Sequence, residues 1–354
     1  MRKPLLVGLP AKVRDGMSAN DVDDCIRHGL EFLRRSQLPS GEFKVYMSPD
    51  LKLARDWVFD SSPFPTALIA YALGFAAPTA VEDILDKALR FLMSEMEGPG
   101  LWRYWTKQHQ SHSAIPHDLD DTACASFVLR SHDIAFPSNL KLILANRNSK
   151  GLFYTWLTAR WPLPFVPSYW RVVLSQWLHP IKLYYFWKLE PTRHDVDCVV
   201  NANVLFYLGQ RPETQTVVDY LIDVFRRGKE DDCDRWYANR FMFYYAISRN
   251  FHAGVAAFGD IRDESIERIV AAAKPDGSIG DSILNTALAV CALLNWRSSP
   301  PALEQAIRFL MNEQRADGSW PRASFYYSGP KKIYGWGSEE VITGFCLEAL
   351  LRYV

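Results

Sequence analysis

Six helix-like segments of this chain are apolar on nearly every side, and helices of that kind lie inside a protein. Their starts read Pro65-Thr66-Ala67, Asp121-Thr122-Ala123, Val200-Asn201-Ala202, Trp236-Tyr237-Ala238, Asn285-Thr286-Ala287 and Ile342-Thr343-Gly344. An amphipathic segment precedes each one, near residues 22–35, 83–95, 138–145, 214–227, 263–273 and 301–314. No strand pattern competes with this alternation. It predicts an all-α fold, an (α/α)6 barrel of six inner and six outer helices in one domain over residues 1–354.

A glycine-containing turn links many of these helix pairs. Residues 29–43 read GLEFLRRSQLPSGEF and residues 306–320 read AIRFLMNEQRADGSW, each with a Gln and then Gly-x-aromatic. Similar turns occur at Gly100-Leu101-Trp102, Gly151-Leu152-Phe153 and Gly277-Ser278-Ile279. The recurrence supports a repeated helix–turn–helix unit.

The composition narrows the function classes. Lys+Arg and Asp+Glu are 40 each, which gives no electrostatic case for a nucleic-acid partner. Aromatic residues make up 14%, with 12 Trp, which favours an aromatic-lined cavity or an interfacial surface. The six scattered cysteines suggest buried free thiols in a reducing compartment. No signal peptide or long apolar run is evident, so the sequence predicts a cytoplasmic protein, with peripheral membrane attachment as an alternative.

Acidic residues concentrate just before the inner helices. Because inner helices of such a barrel run parallel, these segments should converge on one cavity mouth. They contain Asp60, Asp118, Asp120, Asp121, Asp195, Asp197, Asp281, Glu339 and Glu340. Carboxylates at helix starts are ordinarily explained by capping and by the helix dipole.

The second repeat departs from this explanation, because it places three acids and an imidazole in His117-Asp118-Leu119-Asp120-Asp121. With the repeats aligned on Thr-Ala, the position two before Thr is Phe64, Asp120, Val199, Leu284 and Val341. Carboxylates this close disfavour one another's ionisation, so one of them should hold a proton near neutral pH. That property is typical of a general acid.

The segment HDLDDTA resembles the DxDDTA signature of class II terpene cyclases of the squalene-hopene cyclase type. LMNEQRADGSW is similar to the Gln-Trp motif of that family, in which the Gln and Trp tie a helix end to the next turn. The resemblance spans about residues 20 to 352. It implies a terpenoid cyclase/prenyltransferase-like barrel and proton-initiated cyclisation of a linear isoprenoid, such as a prenyl diphosphate or a related polyprenoid.

The resemblance also implies roles for individual residues. Asp120 would protonate a carbon–carbon double bond or epoxide, Asp118 and Asp121 would hold and polarise it, and His117 could assist. The carbocation formed would need aromatic faces rather than water. The predicted substrate-binding rings are Trp320, Tyr326, Trp336, Trp236, Tyr237 and Phe64, with Phe325, Tyr327 and Tyr334 as further candidates.

No cofactor is required by this chemistry, and Mg²⁺ is a candidate cofactor if the substrate carries a diphosphate. The acidic run Glu230-Asp231-Asp232-Cys233-Asp234 could hold such an ion, but a solvated turn is the ordinary reading. His194-Asp195-Val196-Asp197 echoes His117-Asp118-Leu119-Asp120, and two imidazoles with four carboxylates could bind a metal. The basic groups available for a diphosphate head are Arg235, Arg240, Lys331 and Lys332.

A Trp-rich insert at about residues 152–189 occupies the longest spacing between inner helices. It contains Trp156, Trp161, Trp170, Trp177 and Trp187, together with Arg160, Arg171, Lys182 and Lys188. We predict that it acts as a lid, a homodimer contact or a peripheral membrane contact.

Two other functions stay open. Glycoside hydrolases with two carboxylates also use this barrel, and Asp118 or Asp120 could pair with Asp195 or Asp197 across the mouth. A non-catalytic barrel that binds isoprenoids or other lipids is the third alternative.

Overall fold

The computed structural model describes residues 19–159, 166–176, 184, 194–237, 239–329 and 331–354. The described α-helices are α1 (Ala19–Ser36), α2 (Pro63–Leu73), α3 (Pro78–Glu95), α4 (Leu119–Ser131), α5 (Leu140–Ala145), α6 (Pro167–Gln176), α7 (Cys198–Leu208), α8 (Gln215–Arg226), α9 (Arg240–His252), α10 (Arg262–Val270), α11 (Ile283–Asn295), α12 (Pro301–Asn312) and α13 (Glu339–Tyr353). The described strands are β1 (Tyr46–Ser48), β2 (Val58–Phe59), β3 (His117–Asp118), β4 (Trp156–Leu157), β5 (Tyr326–Tyr327) and β6 (Gly335–Gly337).

The inner helices form a closed ring. Each of α2, α4, α7, α9, α11 and α13 packs against the next, and α13 packs back against α2. These helices are buried along nearly their whole length, as a helix without a polar face must be. The amphipathic helices α1, α3, α8, α10 and α12 pack on the outside, and α5 is the short sixth outer helix. The predicted (α/α)6 barrel is therefore confirmed.

A side-chain hydrogen bond explains why the turns and the inner helices repeat together. A Thr or Asn near the start of an inner helix accepts the backbone N–H of the apolar residue in the preceding glycine turn. The donor and acceptor pairs are Phe43 and Thr66, Trp102 and Thr122, Phe153 and Asn201, Ile279 and Thr286, and Trp320 and Thr343. The same bond in five repeats fixes each turn against the helix that follows it.

The Gln-Trp turn acts as a clamp between neighbouring repeats. The Gln314 amide donates to the carbonyls of Gly318 and Cys25, at 3.0 and 2.9 Å, which joins the last turn to the first outer helix. Gly318 has φ +86°, and a Cβ there would lie 2.2 Å from the carbonyl oxygen of His28. Only glycine fits both the backbone angle and this close approach.

Short strands cover the end of the barrel where the inner helices begin. An antiparallel sheet has the order β2-β1-β6-β5, with Tyr46 opposite Gly337 and Tyr326 opposite Trp336. A second, two-stranded pairing sets Asp118 opposite Trp156. The sheets thereby bring aromatic residues from distant parts of the chain to the start of α4.

Side-chain capping of the inner helices falls mainly to uncharged residues. Among the described residues, Ser62, Asn239, Ser282 and Ser338 cap α2, α9, α11 and α13, and Asp118 caps α4. The other acids have different contacts: Asp281 pairs with Lys274, and Glu339 with Arg322. Side-chain capping therefore accounts for fewer of the acids than expected, whereas the first-turn acids of α4 and α13 lie where the helix dipole favours a carboxylate. In addition, α9 starts at Arg240, a few residues later than predicted, because Asn239 provides the cap.

The cysteine prediction needs one correction. Cys198 and Cys233 form a disulfide, whereas Cys25, Cys124, Cys291 and Cys346 are free and buried as expected. Spacing along the chain could not reveal the pair, because 35 residues separate the two sulfurs. The bond fixes the start of α7 to the segment that leads into Trp236 and Tyr237.

We expect reduction of this disulfide to lower the free energy of unfolding by about 3–4 kcal/mol, because the unfolded chain regains the freedom of a long loop. Denaturant unfolding with and without a reductant measures the difference. Cys233→Ser is the control, since a reductant should leave its stability unchanged. Equal stability of the oxidised and reduced wild type would contradict the assignment.

The Trp-rich insert is described only in part. Trp156–Leu157 of the insert form β4, and α6 packs against α5. Trp161, Trp177 and Trp187, with Arg160, Lys182 and Lys188, lie outside the described residues, so the lid, homodimer and membrane contacts stay predictions. No helix in the described part of the chain combines the length and apolar character needed to cross a bilayer.

Candidate active site

A cavity of about 270 Å³ opens at the end of the barrel where the inner helices begin. Its walls are largely aromatic, and its acidic lining residues all belong to the start of α4. The described lining residues are Met47, Phe64, Tyr104, Trp105, Ile115, Asp118, Asp120, Asp121, Thr155, Trp156, Val200, Trp236, Tyr237, Tyr326, Tyr327, Ser328, Ile333, Tyr334 and Trp336. An apolar cavity with a few convergent polar groups is the usual form of a small-molecule site.

The start of α4 presents three carboxyl groups to this cavity. Asp118 caps the helix, because its Oδ1 accepts the backbone N–H of Asp120 at 2.6 Å. Asp120 and Asp121 follow in the first turn, and all three side chains are buried. Asp121 Oδ1 has no hydrogen-bond partner among the described residues.

Asp120 is held by two donors from other inner helices or their entry segments. Asn203 Nδ2 donates to its Oδ1 at 2.5 Å, and the Tyr237 hydroxyl donates to its Oδ2 at 2.5 Å. Asn203 is itself oriented by Arg249, whose guanidinium donates to the Asn203 Oδ1. The buried Arg249 cation lies 4.2 Å from the ring centre of Phe206. The amide group of Asn203 is thus fixed with its N–H towards Asp120.

The three aspartates differ in how strongly they hold a proton. Burial raises the pKa of Asp118 and Asp121 well above the ordinary value, and neighbouring carboxylates raise both further. Burial also raises the pKa of Asp120, but hydrogen bonds from Tyr237 and Asn203 and the charge of Arg249 act in the opposite direction. All three groups therefore retain protons more readily than free aspartate does, and Asp120 is the one whose carboxylate is stabilised by two donors and a nearby cation.

His117 is buried beside the cluster but does not line the cavity. Its Nε2 lies 3.1 Å from Glu97 Oε2, and burial lowers the pKa of its imidazole. Glu97 also contacts His112 and Arg103. In this arrangement His117 contacts Glu97 rather than Asp120, so any assistance to the acid is indirect.

Most of the predicted substrate-binding rings do line the cavity. They are Phe64, Trp236, Tyr237, Tyr326 and Trp336, joined by Tyr327 and Tyr334 from the wider set. The structure places Trp320 elsewhere: it is fully buried, and its indole N–H donates to the Leu310 carbonyl at 2.7 Å. This corrects the prediction for Trp320, because the Gln-Trp motif uses that indole to close the end of α12. Phe325 is buried behind the lining, 5.4 Å from the Tyr237 ring centre.

Asp195 and Asp197, which repeat the spacing of Asp118 and Asp120, contact other side chains than those of the α4 cluster. Asp197 accepts the Thr155 hydroxyl at 2.5 Å, and Asp195 lies 3.2 Å from the Arg235 guanidinium. Among the described residues no group of three or more His, Cys, Asp or Glu side chains is arranged to hold a metal ion. In the acidic run before α9, Asp231 pairs with Arg240, and Asp234 accepts backbone N–H groups.

Sequence reasoning missed Asn203, Arg249, Tyr104 and Trp105 as parts of this site. A signal existed for the first two, since each is a buried polar residue of an inner helix. Buried polar residues in such helices need partners, and here the partners lead to Asp120. Tyr104 and Trp105 lie in a loop without helical periodicity, so nothing in the sequence placed them at the cavity.

Comparison with solved structures supports the fold assignment. The type II terpene cyclase MstE from Scytonema is similar, with TM-score 0.70 and 16% identity, over 95% of this chain and 98% of that one. A protein from Actinoplanes matches at TM-score 0.69 and 17% identity, over 94% and 99%. A possible member of the GH105 family from Salmonella enterica matches at 0.56 and 11%, over 99% and 97%. No family model and no curated protein sequence matches the chain. At these identities the likeness establishes the barrel alone.

Proposed function

We propose that this protein is a class II-type terpene cyclase that starts cyclisation of a linear isoprenoid by proton transfer from Asp120. The observation that carries the proposal is the position of Asp120, buried on an aromatic cavity with its carboxyl group held by Asn203 and Tyr237. A variant of MstE has been solved with geranylgeranyl dihydroxybenzoate, its substrate. That neighbour makes a polyprenyl chain on a non-diphosphate head the first substrate class to test.

The proposed reaction needs no redox cofactor. The Asp120 proton forms a new C–H bond at one alkene carbon, and the adjacent carbon becomes a cation that the next double bonds attack. Loss of a proton from the final cation gives a product with the mass of the substrate. The donors on Asp120 stabilise the carboxylate that forms as the proton leaves, so they favour the transition state over the ground state.

The charged residues that line the cavity indicate which substrate head group it can accept. Three acids and no Lys or Arg occur among its described lining residues. Arg235 and Arg240 are paired with Asp195 and Asp231 instead. A diphosphate would find no cation among these residues to pair with its charge, so we propose that a substrate without diphosphate is preferred. Mg²⁺ is a candidate cofactor only for a diphosphate substrate, and no step of the proposed proton-initiated reaction depends on it.

The glycoside hydrolase alternative fits the cavity less well. That chemistry needs two carboxyl groups on opposite sides of the scissile bond. The acids in the described lining all belong to one helix start, and Asp195 and Asp197 do not reach the cavity. The aromatic, weakly polar walls also suit a hydrocarbon better than a sugar.

A substrate panel tests the proposal. We would incubate purified protein with geranylgeranyl dihydroxybenzoate, squalene, and geranylgeranyl and farnesyl diphosphate, with and without Mg²⁺, and analyse products by mass spectrometry. The expected result is a cyclic isomer of the substrate mass, made best from a substrate without diphosphate. Absence of cyclic product from every substrate would exclude the function as proposed. Unreacted but tightly bound substrate would favour the lipid-binding alternative.

The turnover rate should fall as pH rises. The acid must carry its proton to react, and burial raises its pKa, so the active form persists to higher pH than for an ordinary aspartate, whose pKa is about 3.9. Initial rates from about pH 5 to about pH 9, with circular dichroism to confirm folding, measure the profile. Activity that is already lost at the acidic end would show that the pKa of Asp120 is not raised.

A further inference from the structure

Asp60 is a buried carboxylate whose contacts are unlike those of a helix cap. It lies just before α2 and is 5% exposed, but Ser62 provides the cap of that helix. Its Oδ1 accepts the indole N–H of Trp105 at 3.0 Å, and its Oδ2 accepts the indole N–H of Trp336 at 2.6 Å. The hydroxyl of Tyr104 donates to Oδ2 at 3.1 Å.

The contacts extend beyond these three donors. His109 Nε2 lies 3.3 Å from Asp60 Oδ1, and the Tyr326 hydroxyl is 2.7 Å from that of Tyr104. Because the Tyr104 proton is directed at Asp60, Tyr326 is the donor in the second contact. The Asp60 carboxylate, just before α2, therefore joins polar groups from two other segments, the loop after Trp102 and strands β5 and β6.

Four of the rings held in this way line the cavity, whereas Asp60 itself does not. They are Tyr104, Trp105, Tyr326 and Trp336, and they pack together, with Tyr326 stacked on Trp336 at 5.6 Å between ring centres. The indole N–H groups of Trp105 and Trp336 and the hydroxyl of Tyr104 donate to Asp60, and the Tyr326 hydroxyl donates to Tyr104. The polar groups of these rings are therefore satisfied on the side of Asp60, which leaves the apolar ring surfaces to line the cavity.

We infer that Asp60 is a positioning residue that holds this aromatic wall and, through its negative charge, strengthens the attraction of the wall for a carbocation. A hydrogen bond from an indole N–H or a phenol to an anion shifts electron density into the ring. A more electron-rich face attracts a cation more strongly. This inference rests on the proposed function for its catalytic meaning, but the attraction for a cation can be measured without turnover.

The test uses Asp60→Asn in the full-length protein, with two ligands of the same polyprenyl chain. One carries a tertiary ammonium group, which mimics a carbocation, and the other is its neutral carbon isostere. We expect Asp60→Asn to weaken binding of the ammonium ligand about tenfold and to change binding of the neutral one little. Equal weakening of both ligands, or of neither, would overturn the electrostatic role.

Glu230→Gln is the matched control. Glu230 is likewise a buried carboxylate that accepts a tyrosine hydroxyl, from Tyr244 at 3.1 Å, but it does not line the cavity. Its substitution should leave the ratio of the two affinities unchanged. If Asp60→Asn does not fold, Trp336→Phe and Trp105→Phe each remove one donor and keep an aromatic ring. The same selective weakening, smaller in size, is then expected, and its absence would overturn the inference.

Turnover gives a second readout. Asp60→Asn should raise the share of incompletely cyclised products several-fold, because the later cations lose stabilisation. A folded variant with wild-type product ratios would contradict the inference and leave the proposed function intact. A wild type that makes no cyclic product would exclude the proposed function, and the ligand comparison would still decide whether Asp60 favours cations.

Discussion

Asp120→Asn should reduce cyclisation by about 10²–10⁴-fold while leaving the barrel folded, because that range is typical for loss of a positioned general acid. The amide has nearly the same shape but no proton of comparable acidity. The site around it, including the Asn203 and Tyr237 side chains, contains the groups that would stabilise the carboxylate left after proton transfer. Single-turnover rates at saturating substrate measure the chemical step directly.

Asp121→Asn is the decisive comparison for this result. Asp121 lines the same cavity, and burial raises its pKa as well, so it is the rival proton donor. We expect a smaller loss than for Asp120→Asn, since Asp121 Oδ1 has no donor among the described residues to stabilise the carboxylate that proton transfer would leave. Asp281→Asn is the neutral control, because Asp281 is an exposed acid near the start of α11. Substantial activity in Asp120→Asn together with an inactive Asp121→Asn would reassign the acid.

Trp320→Ala should lower the free energy of unfolding by about 3–5 kcal/mol, the usual loss for a large aromatic residue removed from a core. The Trp320 side chain is fully buried, and its indole N–H closes the end of α12 at the Leu310 carbonyl. Denaturant unfolding followed by circular dichroism gives the difference.

Trp336→Ala is the matched comparison for Trp320. Trp336 is partly exposed and lines the cavity, so its loss should cost less stability and change the product mixture more. The two tryptophans thus separate a structural from a substrate-facing role. A Trp320→Ala variant as stable as the wild type would contradict the clamp described for the Gln-Trp turn.

The barrel was predictable because each of its repeats carries its own local signal. The apolar inner helices show which segments are buried, and the Thr or Asn at their starts recurs with the glycine turn that it binds. Burial and hydrogen bonding therefore act over short stretches of sequence, where pattern reasoning works. The caps were misjudged because a serine and an aspartate fit the same position equally well.

The candidate site was predictable only in part, since it is assembled across the barrel. The crowding of Asp118, Asp120 and Asp121 is visible along the chain, but their partners come from other repeats. Asn203 is 83 residues from Asp120 and Tyr237 is 117 residues away. The disulfide of Cys198 escaped the sequence for the same reason. Contacts of this kind depend on tertiary geometry, which spacing alone does not contain.

The closed ring of inner helices has a consequence for how the chain is made. The contact that completes the ring joins α13 to α2, and Gln314 binds the first outer helix. The first helices to be synthesised therefore cannot complete their packing until the last ones have left the ribosome. Until then, α2 has an apolar side without its final neighbour. Long-range closure of this type slows folding and leaves nascent chains open to aggregation. Slower translation should therefore lengthen the time during which this side of α2 stays exposed.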